Sequence, residues 1–294
     1  ASYKEGIVGG YLPNFPAFRD GVALGPFLEE KFGVPVFINN DGDLFAFGEA
    51  TAGIMPEINS KVAALGGSRV YRNLLGYTFG TGFGIGEVID GRLNLGNNSC
   101  VETFCIPSSV DNSIMAEDYV AIRAIVREYA RLEPAAPQGL TPKDICDIAD
   151  GKREGNSEAA RESFRIFGAA AGDAMATAVT LTDSLLVIGG GLTGAARHFM
   201  PSLLQALRST VKTINGEQVK RVQMEVFDLD DDEQLGRFAL GDARLLKVYG
   251  SERTVTYDPM KRTGIAISKL GASKAISIGA YTYALSQLDA AQAE

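Results

Sequence analysis

Three places in the chain carry residue types that could do chemistry. The first is Asn40-Asp41, a carboxamide beside a carboxylate, between the apolar run Val34-Pro35-Val36-Phe37-Ile38 and the apolar-rich stretch after Asp43. That pattern predicts a short buried strand turning into a helix with Asp43 as its N-cap. It puts Asp41 at the carboxyl end of a strand, where open α/β sheets hold their ligands. Taken alone, Asn and Asp in such a place also suit a turn in which they bond their own backbone. The second place is Gly80-Thr81-Gly82, whose bare backbone N–H groups could approach phosphate oxygens while Thr81 adds a hydroxyl. A hairpin needing glycine only for positive φ would read the same way. The third is Gly189-Gly190-Gly191, which follows the apolar run 184–188. Gly-x-Gly-x-x-Gly and a Walker lysine are both absent, which argues against a nucleotide-dependent oxidoreductase.

The elements that would position these residues follow from periodicity. Leu24, Phe27, Leu28 and Phe32 predict an amphipathic helix before the first site, and the helix after it should run to about Gly53. Residues 74–79 and 83–89 read as strands, the second turned back at Asp90-Gly91. Residues 116–132 read as one helix, and Thr141-Pro142 as an N-cap with proline at N1 of the next. A long alanine-rich helix is expected over 157–181, a strand over 184–188 and a helix over 195–207. The acidic run Asp228, Asp230, Asp231, Asp232, Glu233 lacks the glycine and spacing of a calcium loop and reads as a solvated loop. Residues 226–273 are expected to be an insertion containing a strand near 253–257, and 276–288 a closing helix.

The 294 residues can bury a full core, and 46% hydrophobic residues with 34 glycines fit an α/β protein with tight strand-to-helix turns. A net charge of −8 argues against an extended nucleic-acid surface, although backbone N–H groups and a magnesium ion can still handle a triphosphate. Cys100, Cys105 and Cys146 form neither a disulfide framework nor zinc-finger spacing, so a reducing, cytoplasmic setting is expected. No stretch is long and apolar enough for a bilayer span, and the first residues lack the pattern of a signal peptide.

Residues 40–49, Asn-Asp-Gly-Asp-Leu-Phe-Ala-Phe-Gly-Glu, resemble the Asn-Asp-x-Asn-x-x-Ala-x-Gly-Glu signature of ROK-family sugar kinases. Residues 78–86 resemble that family's phosphate loop, and 183–191 its nucleoside-binding turn, in the same order and spacing. The resemblance implies an α/β, two-lobed actin-like ATPase (ribonuclease H-like) fold. The smaller lobe would comprise residues 1–55 completed by 274–294, and the larger lobe 56–273. It implies phosphoryl transfer from ATP with Mg2+ to a sugar hydroxyl, with Asp41 as general base. Asn14 and Asn40 would bind the sugar, and Gly80, Thr81, Gly82, Gly189, Gly190 and Gly191 the nucleotide. The family's Gly-Glu-x-Gly-His segment corresponds to Val101-Glu102-Thr103-Phe104-Cys105, keeping Glu102 and putting Cys105 at the histidine position. Its second sugar-binding glutamate falls on Glu117. The family's zinc module is deleted, so no structural zinc is expected, and His198 reads as structural. A homodimer is implied by the family. The family's opening Asp-x-Gly-Gly-Thr has no counterpart here, so the N-terminal lobe is expected to be incomplete. The other reading is a sugar-sensing ROK regulator or idle sugar-binding protein, for which a missing N-terminal region would bind nucleic acid.

Overall fold

Hydrophobic alternation builds the centre of the molecule. In the computed structural model, which describes residues 3–10, 16–101 and 105–293, β1 (Leu74–Phe79) turns Leu75, Tyr77 and Phe79 to one face of a sheet and Leu74 to the other. It pairs antiparallel with β2 (Phe83–Ile89), which continues into the short β3 (Arg92–Leu93), and parallel with β4 (Leu185–Gly189). Beyond β4 lie β10 (Arg262–Ile267) and the edge strand β7 (Glu225–Asp228), both parallel to it, giving the order β3-β2-β1-β4-β10-β7. The segment expected as an insertion therefore supplies two strands of the main sheet. Each is short, and the helix and hairpin between them hide the parallel-strand pattern.

Helices cover both faces, making three layers. One face carries α4 (Glu117–Val120), α5 (Ile122–Leu132), α6 (Pro142–Ala149), α7 (Ser157–Thr182) and α8 (Ala196–Leu207). The other carries α2 (Asp41–Ala52), α3 (Ile54–Ala64), α9 (Asp232–Leu240) and α10 (Ala272–Ala293). The glycines of α2 and α10 let these helices touch backbone to backbone. A Cβ at Gly48 would overlap the Ala275 carbonyl, and one at Gly279 the Leu44 carbonyl. The remaining helix, α1 (Leu24–Phe32), ends at Gly33 in the left-handed region. Two hairpins, β5 (Thr210–Lys212) with β6 (Gln218–Lys220) and β8 (Arg244–Lys247) with β9 (Thr254–Tyr257), stand outside the sheet.

Three expectations are corrected. Residues 34–38 are not a strand, because no neighbour in the described chain offers a ladder, so Asp41 does not sit at a strand's carboxyl end. Pro35 has no N–H, and that of Val36 bonds the Glu29 carboxylate (3.0 Å) instead. Asp43 is not the N-cap: Asn40 takes that role, its Oδ1 accepting the Gly42 N–H (2.7 Å), while Asp43 is buried inside the helix. The helix expected over 116–132 is broken at Ala121, which is extended because the following N–H, that of Ile122, bonds the Gly80 carbonyl (2.9 Å). The acidic run is accounted for locally. Asp231 caps α9, Asp228 accepts the Asp230 N–H and Asp230 accepts the Ile267 N–H. The capping box at Thr141 and Asp144 is present.

Candidate active site

The three chemistry-bearing segments meet at one end of the sheet. Strands β1 and β4 are parallel with Thr78 opposite Gly189, so the turns that leave them, at 80–82 and 190–191, are neighbours. Gly190, at φ 96°, packs so tightly on the Phe79 carbonyl that a Cβ would overlap it. Strand β2 is antiparallel and begins at this same end, and the first turn of α2 rests on it. A Cβ at Gly42 would lie 2.9 Å from the Ile85 carbonyl, and one at Gly84 would lie 3.9 Å from Gly42 Cα. Asp41, the first residue of α2, is exposed and directly precedes Gly42, which rests on β2; at this position it also complements the positive end of the helix.

Glycines in these turns fall into two groups. Gly84 and Gly86 are required by packing, since side chains there would run into Thr78 Oγ1 and into the backbone of Gly42 and Asp43. Gly189 is required because a Cβ would come within 2.5 Å of the Phe45 ring. Gly80 and Gly191 have no such reason: a Cβ at either would meet no atom within 4 Å, and neither has φ in the left-handed region. The hairpin therefore does not account for Gly80. The Gly80 N–H bonds the Gly82 carbonyl (3.2 Å) and the Phe83 N–H bonds Glu117 Oε2 (3.3 Å). Among the described residues this leaves the N–H groups of Thr81 and Gly82 for an outside acceptor.

Glu117 is brought to this turn, where it does more than line a pocket. Its Oε1 pairs with Arg123 (2.8 Å), and Arg123 also donates to the Thr81 carbonyl (3.0 Å) and to Asp118 (2.8 Å). The start of α5 thus braces the glycine turn from behind. Sequence reasoning missed Arg123, because a pair six residues apart has no helical spacing and forms only through the break at Ala121. Asn40 is half-buried with its carbonyl oxygen engaged in capping, so its NH2 group is what it can offer a ligand. Its neighbour Asn39, also missed, has a buried Nδ2 without a hydrogen-bond partner among the described residues. Cys105 is exposed on the segment leading to Glu117, and Asn14 and Glu102 lie outside the described residues.

His198 sits behind the triple-glycine turn, on α8. Its Nε2 is 2.8 Å from Asp150 Oδ1, and its ring stacks on Phe164. Asp150 also pairs with Arg197 and Lys152, which together with His198 hold its carboxyl well below the usual carboxylate range. Cys146, Asp150 and His198 offer ligand-type atoms within 4.8 Å of one another, but the cations already on Asp150 oppose a further one, and the cluster reads as a structural tie between α6 and α8.

The chain has relatives over most of its length. Residues 11–244 match the ROK family. It is 47% identical to the solved glucokinase of Parabacteroides distasonis, with a TM-score of 0.88 over 97% of this chain and 78% of that one. It is 27% identical over 186 residues to the glucokinase of Streptomyces coelicolor, 56% of this chain and 54% of that protein, so the chain spans about half the length of the curated relatives it matches. A ROK family glucokinase from Streptomyces griseus, solved with glucose and AMPPNP, is 19% identical with a TM-score of 0.53 over 88% of this chain and 70% of that one, a likeness of fold. The chain belongs to the ROK family and carries its actin-like ATPase fold.

Proposed function

We propose that this protein transfers the terminal phosphoryl group of ATP to a sugar hydroxyl, with Asp41 accepting the hydroxyl proton as the bond to phosphorus forms. One observation carries the reading: the helix turn that presents Asp41 is seated on the same hairpin whose tip offers the open Gly80 and the N–H groups of Thr81 and Gly82. An acid base and a bare-backbone cradle for phosphate are the two parts that phosphoryl transfer to an alcohol requires. The Asn40 NH2 group would hold a neighbouring hydroxyl, with Glu117, Cys105, Asn14 and Glu102 completing the sugar site. The polyphosphate would lie along residues 80–82 and the nucleoside against 189–191, where Gly191 is open. Magnesium bound with the triphosphate would neutralise its oxygens. The names of the relatives make glucose the first sugar to test. In this proposal α2 and α10 tie a smaller lobe, 1–55 with 274–294, to the larger lobe 56–273. Closure of the lobes would keep water from the phosphoryl group.

A panel of sugars assayed for ADP release with MgATP tests the proposal. ADP release that saturates with one sugar supports it, whereas saturable sugar binding with no ADP release favours a sensor. Asp41→Asn should leave sugar affinity near the parent value and lower turnover by about a hundred- to ten-thousand-fold. Comparable turnover in that variant would remove Asp41 from the mechanism.

A further inference from the structure

Strand β7 closes one side of the main sheet, and an edge strand presents backbone groups that no ladder satisfies. The Glu225 N–H bonds the Lys261 carbonyl (2.9 Å) and the Leu229 N–H the Ile265 carbonyl (2.8 Å), so in this parallel pairing the odd-numbered residues face β10 while Val226 and Asp228 face outward. Two side chains cover that outer edge. Arg208, which caps α8, donates its Nε to the Val226 carbonyl (2.9 Å). Gln234 of α9 accepts, through Oε1, the Asp228 N–H (3.1 Å) and a bond from Arg208 Nη2 (2.6 Å). The Val226 N–H is left over. Val226 is 6% exposed, and among the described residues nothing accepts from this group. A buried backbone donor without an acceptor is rare and calls for one from outside the chain.

Beside this edge lies a hollow of about 380 Å³, within the range of small-molecule sites. Buried Val222, Val226 and Phe227 and half-buried Met224 line it, together with exposed Arg208, Lys220 and Arg237. Covering the strand edge explains Nε and Nη2 of Arg208 and no other donor here. Arg208 Nη1 and the Lys220 ammonium have no partner among the described residues. Arg237 lies over the Phe227 ring, 5.5 Å from its centre, with Glu225 3.8 Å away. Glu225 is the single acid of the lining, and Asp228 lies outside it. Three cations against one acid leave the hollow at +2 in a chain whose net charge is −8.

Two guanidinium groups, an ammonium and a main-chain N–H are a donor set for an oxyanion. A phosphate monoester carries about −1.5 to −2 at neutral pH and so matches the charge of the hollow better than a single carboxylate does. We propose that this hollow binds a small phosphate monoester, its phosphate held by Arg208, Lys220, Arg237 and the Val226 N–H and its organic body lying on Met224 and Phe227. The hollow shares no residue with the candidate active site, and β7 lies two places from β4 in the sheet. One helix joins the two places, since α8 runs from the end of the 190–195 turn to Arg208. Two sources offer such an ester: the sugar phosphate that the proposed reaction would form, and a phosphorylated alcohol made elsewhere. Binding itself does not rest on the proposed reaction.

Titration of the full chain with glucose 6-phosphate, glycerol 3-phosphate, inorganic phosphate and succinate, read at the Val226 amide resonance of isotope-labelled protein, tests the site. At least one ester should shift that resonance saturably, with an affinity that weakens as salt rises. Tighter binding of glucose 6-phosphate identifies the product as the ligand, and tighter binding of glycerol 3-phosphate an outside source. Lys220→Gln and Arg237→Gln, both at exposed positions, should each raise Kd about ten-fold with circular dichroism unchanged. Gly80→Ala, on the candidate phosphate cradle, should leave this Kd at the parent value. The proposal is overturned by esters that do not move the Val226 amide, or by an ester held equally well by folded Lys220→Gln and Arg237→Gln proteins. Succinate or inorganic phosphate held as tightly as the better ester overturns it too. Such a failure leaves the proposed phosphoryl transfer untouched, because that is read from ADP release and Asp41→Asn.

Discussion

Replacing Gly84 with alanine should destabilise the hairpin under the candidate phosphate cradle by about 1–3 kcal/mol, because the new methyl overlaps Thr78 Oγ1. Gly80→Ala, on the same hairpin, should leave stability within about 0.5 kcal/mol of the parent, since a Cβ there meets no atom within 4 Å. If phosphate lies where we propose, that methyl displaces one charge-assisted contact of about 1.5–3 kcal/mol, and KM for ATP should rise about ten-fold or more. Urea melts and ATP titrations separate the two effects, and an unaltered KM in Gly80→Ala would exclude the turn from nucleotide binding. The glycine turns and Asp41 were picked out by residue type and motif resemblance, but Asp41 was expected at a strand end rather than in the first turn of a helix, and which glycines are open only the packing shows. Arg123 was not picked out, because its partners at Thr81 and Glu117 reach it only through tertiary folding, and no local pattern encodes that meeting.

Elements are joined by one buried carboxyl. Glu49, near the end of α2, accepts the Ile54 N–H at the start of α3 (2.8 Å) and the Ser268 hydroxyl in the turn after β10. Burial pushes its pKa up. The folded protein therefore keeps this proton to higher pH than the unfolded chain does, and the group's contribution to stability declines as pH rises out of the usual carboxylate range. Glu49→Gln preserves the shape and can satisfy both partners, so its stability should hold up better than the parent's on the neutral side. Glu49→Ala leaves buried groups unbonded and should cost about 2–4 kcal/mol. Urea melts at a series of pH values check both outcomes. Among the elements, the β1–β2 hairpin, the Thr141 cap and the long α7 were legible because each signal is local. Residues 34–38 misled because an apolar run does not say whether a neighbouring strand exists to receive it. The α2 cap was misplaced because Asn40, Asp41 and Asp43 are all capping types, and only the seating of Gly42 on Ile85 chooses among them. The edge strand β7 was passed over because so short a segment barely shows a period.

Across the whole molecule, charge pairing sets the response to acid. Arg197, then Lys152 and His198, hold Asp150 well below the usual carboxylate range; hydrogen bonds from the Thr141 backbone and hydroxyl lower Asp144, and those from Arg165 lower Glu162. With folded-state values below the unfolded ones, these groups support the fold above the usual carboxylate range and lose that support as pH falls through their folded values. Stability measured by urea melts should therefore drop steadily below about pH 5, and added salt should blunt the share owed to exposed pairs. A flat profile there would show that the pairs contribute nothing. At this scale the α/β actin-like fold was legible through the motif resemblance, whereas the strand order was not, because pairing between distant segments leaves no local pattern. The two free hairpins were not, since nothing in their composition separates an arm from an ordinary loop. The backbone contact between α2 and α10 also orders events during synthesis. The segment bearing Asp41 emerges from the ribosome early, yet its outer flank stays bare until residues 272–293 are translated. A nascent chain stalled before that point would hold a half-clad α2, an exposed surface of the kind that chaperones recognise.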